Sequence, residues 1–213
     1  MAFWRISNSV LIRGCIAMLL LVCSTAWAAD GWRLAREDKE RDIRVYLKRS
    51  AVSAYQDVYS VTTLSGNTLA IEAILNDAAA MSDWAARVNH ARIIKREKNQ
   101  VWMYIQYRLP YPLKPRDVVV VATRNQNNGV ISIDSKAVKG ALPEQDGWVR
   151  LTQVESRWRL TPLQRNRVKV ELWGSALPGG VVPSMIYNYN LPDDAMQTFR
   201  MLRRMAQRPK YQS

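Results

Sequence analysis

His90 is the only histidine in a chain of 213 residues, and that count removes most routes to acid/base chemistry. One imidazole cannot make a two-histidine proton relay or a histidine-rich metal site. General-base work would also need an oriented partner within hydrogen-bond reach, and nothing near His90 signals one. A surface or hydrogen-bonded core residue is expected there. Asp193 and Asp194 could begin a metal site, but no third carboxylate stands close to them. They read better as charges at a helix start, facing the positive end of its dipole. Arg116 and Asp117 allow two readings: a catalytic pair, or a structural ion pair tying a strand end to a loop. The structural one is expected. The nucleophile-elbow, P-loop, dinucleotide-binding and H-E-x-x-H patterns are all missing. No catalytic residue, metal site or cofactor is expected, and the chain is read as a non-enzyme.

The two cysteines, Cys15 and Cys23, lie in the apolar stretch 15–26, which follows Arg5 and Arg13 and no acid. A basic start, a short apolar run and the small-x-small triplet Ala26-Trp27-Ala28 describe a cleaved export signal over residues 1–28. The alternative, an uncleaved anchor, would ask for a longer apolar run. Val22 before Cys23 does not suit lipidation. The folded domain is then residues 29–213, without a thiol, so zinc–thiolate sites, cysteine nucleophiles and disulfides are excluded from it. Cleavage would remove two arginines and take the formal charge from +13 to +11. Export to the periplasm separates that charge from nucleic acid. Anionic membrane headgroups suit it better; the bland alternative is a soluble basic protein with scattered charge.

Hydrophobic residues make up 48% of the chain, with only 9 Gly and 9 Pro, which suits a globular fold and excludes a low-complexity one. The length suits one domain, read as a monomer. Strands are predicted over 32–38, 43–48 and 55–63, with Ile43, Val45 and Leu47 alternating against Arg44, Tyr46 and Lys48. Helical spacing follows over 68–87, divided near Ser82, which would cap the second piece. Six further strands are predicted over 91–96, 101–109, 117–124, 130–135, 149–160 and 167–174. Asn128-Gly129 between two of them marks a hairpin, and the prolines of 111–115 a stiff connector. A long helix over 183–207 closes the chain, with a bend at Pro192. Strands, a helix pair, more strands and a last helix indicate an α+β domain, a curved antiparallel sheet wrapped around the C-terminal helix.

One helix cannot easily fill the concave face of so many strands, so an apolar tunnel is expected. Alternation turns Met103, Ile105 and Tyr107 inward on one strand, and Val170 and Leu172 on another. Val120, Ala122 and Val154 complete the lining, and Ile186, Tyr189 and Phe199 of the last helix close it. For each residue alone, the alternative is that it fills a core. Arg200, Arg203, Arg204, Arg208 and Lys210 crowd the end of that helix, where they would touch membrane phosphates. A solvated helix end whose cations offset the dipole is the competing reading.

Three segments resemble the START family of lipid-transfer domains, in the helix-grip or Bet v 1-like group. They are Lys114-Pro-Arg-Asp-Val-Val, Trp158-Arg-Leu-Thr-Pro162, and 178–188, a Gly-Gly-x-(Ile/Leu)-Pro pattern leading into the C-terminal helix. Trp32-x-Leu, Ile43-x-Val-Tyr46 and Trp84 also fit, over roughly residues 31–206. Val182 and Val118 are mild departures from the pattern. The resemblance implies a helix-grip fold enclosing a tunnel for one lipid or sterol-sized molecule. Some members bury an acid/Arg pair in the tunnel; the matching positions here are Met103 and Ala122, which cannot ionise. Binding, and transfer, of a lipid or hydrophobic small molecule is expected. A polyketide cyclase-like enzyme of the same fold, or a non-enzymatic adaptor with a filled core, are the alternatives.

Overall fold

A computed structural model of the chain describes residues 31–212; the export signal expected over 1–28 lies outside them. Ten strands form one sheet: β1 (Arg33–Asp38), β2 (Ile43–Arg49), β3 (Gln56–Ser65), β4 (Val88–Glu97), β5 (Gln100–Tyr107), β6 (Arg116–Asn127), β7 (Val130–Ala137), β8 (Val149–Arg150), β9 (Val154–Leu163) and β10 (Arg167–Ala176). Their spatial order is β1-β2-β3-β10-β9-β7-β6-β5-β4, all antiparallel, with β8 added parallel to β6. Helices α1 (Thr68–Asn76) and α2 (Met81–Trp84), linked by a 3-10 turn at Ala78–Ala80, lie between β3 and β4 in the chain, and α3 (Ser184–Ala206) follows β10. The fold is α+β, an antiparallel sheet with a long C-terminal helix. Asn128 and Gly129 both have positive φ, 48° and 77°, which the two-residue turn between β6 and β7 requires.

Several boundaries differ from the expected ones. The strand predicted over 149–160 is two: β8 lies beside the start of β6, and β9 then pairs with β7. The Leu151 amide donates to the Asp117 carbonyl at 2.8 Å, which continues the β6 edge and draws the chain away from β9. The first helix starts at 68 as expected, capped by Asn67, whose side-chain oxygen accepts from the Ala70 amide at 2.8 Å. Ser82 sits inside α2 and caps nothing; Asp77 caps the preceding turn instead. Pro192 lies within α3 rather than at a helix start. Asp193 and Asp194 are therefore mid-helix, and each pairs with an arginine of another segment, Arg36 and Arg87.

Burial along α3 follows one stripe. Ala195, Met196, Phe199, Leu202 and Met205 are buried, at the spacing of one helical face. Trp158 of β9 stacks on Phe199 at 5.9 Å between centroids, and Trp84 meets Trp158 edge-on at 6.0 Å. These rings occupy the space between the sheet and the C-terminal half of α3, and Phe199 is 0% exposed.

Two adjacent side chains at the start of β6 point to opposite faces, as strand geometry demands. Arg116 turns inward: Nε donates to the Pro178 carbonyl and Nη2 to that of Gly179, both at 3.1 Å, and Nη1 donates to the Lys114 carbonyl. It thereby holds the turn that leads into α3. Gly179 and Gly180 have φ of 59° and 58°, and a Cβ on Gly179 would stand 3.0 Å from a Val149 methyl. Asp117 turns outward and pairs with Arg150, through two contacts of 2.9 Å, and with the Tyr104 hydroxyl at 2.9 Å. Arg150 also donates to the carbonyls of Leu142 and Pro143, securing the long connection between β7 and β8. The two residues thus do not pair with each other.

Phe199→Ala should lower stability by ~3–5 kcal/mol, the usual cost of emptying a large aromatic site, read as a lower denaturant midpoint at unchanged slope. A negligible shift would mean that the interior is not closed there. Asp117 offers a pH test. Burial pushes its carboxyl up, but hydrogen bonds from Arg150 and Tyr104 outweigh that and hold it below the ordinary value. Its contribution is therefore complete above the unfolded value of ~3.9, and is lost as pH falls through the lower folded value. Asp117→Asn should flatten the stability profile in that acidic window, and Asp117→Ala, which strands the Arg150 charge, should cost ~3–5 kcal/mol at pH 7.

Candidate ligand-binding site

Full burial along α3 begins only at Pro192; its first turns, residues 184–191, contain no fully buried side chain. Beneath them lies a cavity of about 640 Å3, within the ~300–1,000 Å3 of small-molecule pockets. Tyr107 at the end of β5, Leu151, Val154 at the start of β9 and Ala176 at the end of β10 form one side. The 109–113 segment walls it, as do Pro178 and Val181–Pro183 before α3, and Ile186, Tyr187, Asn190, Leu191 and Asp194 roof it. Ala86 and Arg87 complete the wall. Pro110, Pro112, Pro178 and Pro183 lack an amide donor and cannot extend a ladder, so both segments leave the sheet as loops and the space between them stays open.

Three tethers hold the roof. The Tyr55 hydroxyl donates to the Val182 carbonyl at 2.8 Å, and its ring meets Tyr187 edge-on at 5.2 Å. Asn188 accepts from the Gln56 amide at 2.8 Å and donates to the Ala54 carbonyl at 3.0 Å. Thr198 accepts from the Ala86 amide at 3.1 Å, which sets Arg87 beside Asp194, and the two side chains form an ion pair in the cavity wall. Burial raises the Tyr107 phenol to about 12. Burial, reinforced by the charge of Asp194, does the same for Tyr187. Both stay protonated at neutral pH.

The eleven residues expected to line a tunnel separate into three groups. Tyr107, Val154 and Ile186 line the cavity. Met103, Ile105, Val120, Val170 and Phe199 belong to the close-packed interior, with Ala122 and Leu172 against it. They face inward as alternation requires, but the rings of Phe199, Trp158 and Trp84 fill the space they face. Tyr189 is 74% exposed and is not part of the lining, although Ile186, Tyr187 and Asn190 of the same turns are.

The five basic residues expected at a membrane are at the other end of α3, and most are turned to the protein itself. Arg200 donates to Asp38 and Arg208 to Asp83, each at 2.8 Å, and Lys210 pairs with Asp77. Arg203 donates to the carbonyls of Arg41 and Thr63 and to the Thr62 hydroxyl. Arg204 is exposed, and its only side-chain partner among the described residues is the Met201 sulfur at 3.6 Å. His90 is exposed on β4, away from the cavity lining. Sequence reasoning missed Arg87, Asp194, Tyr187 and Leu151. Tyr187 stood within the 178–188 motif and could have been found there; Arg87 and Asp194 are 107 residues apart and carry no joint signal.

A model of the START domain family matches residues 17–212. An uncharacterized protein of Pseudomonas aeruginosa is 28% identical over 204 residues, covering 92% of this chain and 100% of that one. Among solved structures, a STAR-related lipid transfer protein from Xanthomonas axonopodis superposes with a TM-score of 0.78 at 27% identity, over 84% of this chain and 100% of that one. Human STARD10 superposes with a TM-score of 0.74 over 84% and 74% of the two chains, and at 17% identity the likeness is one of fold. With a family match that spans the whole described fold, the chain belongs to the START domain family.

Proposed function

We propose that this START domain is exported to the periplasm, binds a lipid or similar hydrophobic molecule beneath α3, and carries it between membranes unchanged. The observation that carries the reading is the cavity of about 640 Å3, largely apolar and roofed by turns of α3 that contain no fully buried side chain. Export rests on the basic and apolar segment of residues 1–28. Carriage rather than catalysis is supported by the lining, which among the described residues includes no histidine and one carboxylate, Asp194, held by Arg87. The lipid-transfer description of the Xanthomonas axonopodis relative agrees with this reading.

Exchange of a ligand with a bilayer would take place at the cavity mouth, and the exposed apolar side chains gather there. Nine large hydrophobic residues are exposed among those described, and six of them, Val52, Tyr111, Val181, Met185, Ile186 and Tyr189, belong to the segments around the mouth. Tyr111 is 97% exposed. Exposed apolar side chains concentrated in this way mark sites of contact with membranes or partners. Arg49, Arg108 and Lys114 flank these segments, exposed and without a carboxylate within ion-pair distance among the described residues. This end, and not the Arg200–Lys210 end, is the proposed membrane face.

Ala176→Trp should fill the cavity. Native mass spectrometry of protein taken from its own periplasm should then lose a lipid-sized adduct that the unaltered chain carries, with little change in stability. In a filled interior the same substitution would overpack, at ~1–3 kcal/mol, and an unaltered adduct would refute the cavity as the site. For the membrane face, Met185→Glu with Tyr189→Glu should reduce binding to phosphatidylglycerol-containing vesicles at least several-fold, whereas Arg204→Glu should leave it nearly unchanged. The opposite ranking would return the membrane contact to the basic end of α3.

A further inference from the structure

The polar side chains in the cavity wall are unbalanced in charge and in hydrogen-bonding sense. Two guanidiniums, Arg87 and Arg116, stand against one carboxylate, Asp194. Arg116 is 3% exposed, and the groups it meets are carbonyl oxygens: those of Pro178, Gly179 and Lys114. Asp117, its neighbour in sequence, is committed to Arg150 on the outer face of the sheet. A guanidinium has five N–H donors, so three bonds leave Arg116 with two to spare. Arg87 uses Nε for Asp194, and its remaining donors have no partner among the described residues.

Arg87 is also held in an uncommon backbone conformation, with φ of 61°. A non-glycine residue persists in that region where surrounding contacts over-determine it, often beside a ligand. Here the Arg108 amide donates to the Arg87 carbonyl at 3.0 Å, and Thr198 binds the preceding amide. The hydroxyls of Tyr107 and Tyr187 add two more donors, neither with a hydrogen-bond partner among the described residues. On the accepting side the wall offers the second oxygen of Asp194 and the amide oxygen of Asn190, one of whose two N–H donors goes to the Ile186 carbonyl.

A buried cation without a counter-charge is costly, and so are donors left dry when a hydrocarbon chain displaces water. A group bearing negative charge and several lone pairs relieves both. We propose that the cavity selects an anionic amphiphile, whose carboxylate or phosphate head is received by Arg116, Arg87 and the hydroxyls of Tyr107 and Tyr187. The hydrocarbon chain lies against Leu151, Val154 and the 109–113 wall. This inference rests on the cavity being the ligand site and adds the class of ligand. A sterol or fatty alcohol brings a single hydroxyl and leaves the guanidinium uncompensated.

Three probes of equal chain length separate the outcomes: hexadecanoate, hexadecyl phosphate and hexadecanol, each titrated into residues 29–213 at pH 8 by displacement of a neutral fluorescent lipid. Both anions, or the one whose head fits, should bind at least tenfold more tightly than the alcohol, and their ranking tells carboxylate from phosphate. Tyr107→Phe combined with Tyr187→Phe keeps the rings and removes the hydroxyls; it should bring the anion affinity down toward that of the alcohol, as should Arg87→Gln. Arg116 is left intact because it also holds the turn before α3. Equal affinity for all three, or preference for the alcohol, would overturn the anionic class while leaving the cavity reading standing. Failure of all three to displace the probe from a folded chain would overturn both.

Discussion

Arg116 and Asp117 are neighbours on one strand, and the alternation of the pleat sends them to opposite faces. Both are almost wholly buried, so each needs its charge met by hydrogen-bonding partners to be tolerated. Arg116 finds the carbonyls that set the turn before α3, and Asp117 finds Arg150, which gathers the connection between β7 and β8. The roof of the cavity and the strand edge that forms part of its floor are therefore referenced to one dipeptide. Glycine at 179 and 180 belongs to the same constraint, since both have positive φ and a Cβ at 179 would stand 3.0 Å from a Val149 methyl.

With that anchor in place, the concave side of the sheet divides in two. The C-terminal half of α3 seats Phe199, Leu202 and Met205 against the sheet, and Trp84 and Trp158 complete the filling. The N-terminal half spans loops rich in proline, which supply no ladder and no wide apolar face for a helix to settle on. A helix of 23 residues, at 1.5 Å per residue, is long enough to do both. The filled half can provide stability while the open half holds a ligand, so a change in one need not disturb the other.

The positive charge of the chain is spent unevenly. At the C-terminal end of α3, carboxylates of Asp38, Asp77 and Asp83 meet the arginines and the lysine, and these contacts tie the helix to β1 and to the α1–α2 region. At the opposite end, the cations that flank the mouth have no such partners among the described residues, and the apolar side chains around them are exposed. A net charge describes solubility and long-range attraction; which face carries the uncommitted part depends on where acids happen to fall in three dimensions.

Much of this protein could be read without coordinates. The strand alternation of 43–48 and 101–107, the hairpin at Asn128-Gly129, the long C-terminal helix and the α+β class are consequences of period and local turn chemistry, which act over a few residues. The inward direction of Met103, Ile105 and Val170 was legible for the same reason. Whether inward meant lining or core was not, because a void is the space that remains after every element is placed. Phe199 and Tyr189 lie on one helix and in one predicted stripe, yet one is buried against Trp158 and the other overhangs solvent. The pairing of Arg87 with Asp194, and the isolation of Arg116 from Asp117, likewise depend on contacts between segments distant in sequence. Local periodicity determined the elements and their faces; only the tertiary packing decided which face is filled, which is open and which charges are left without a partner.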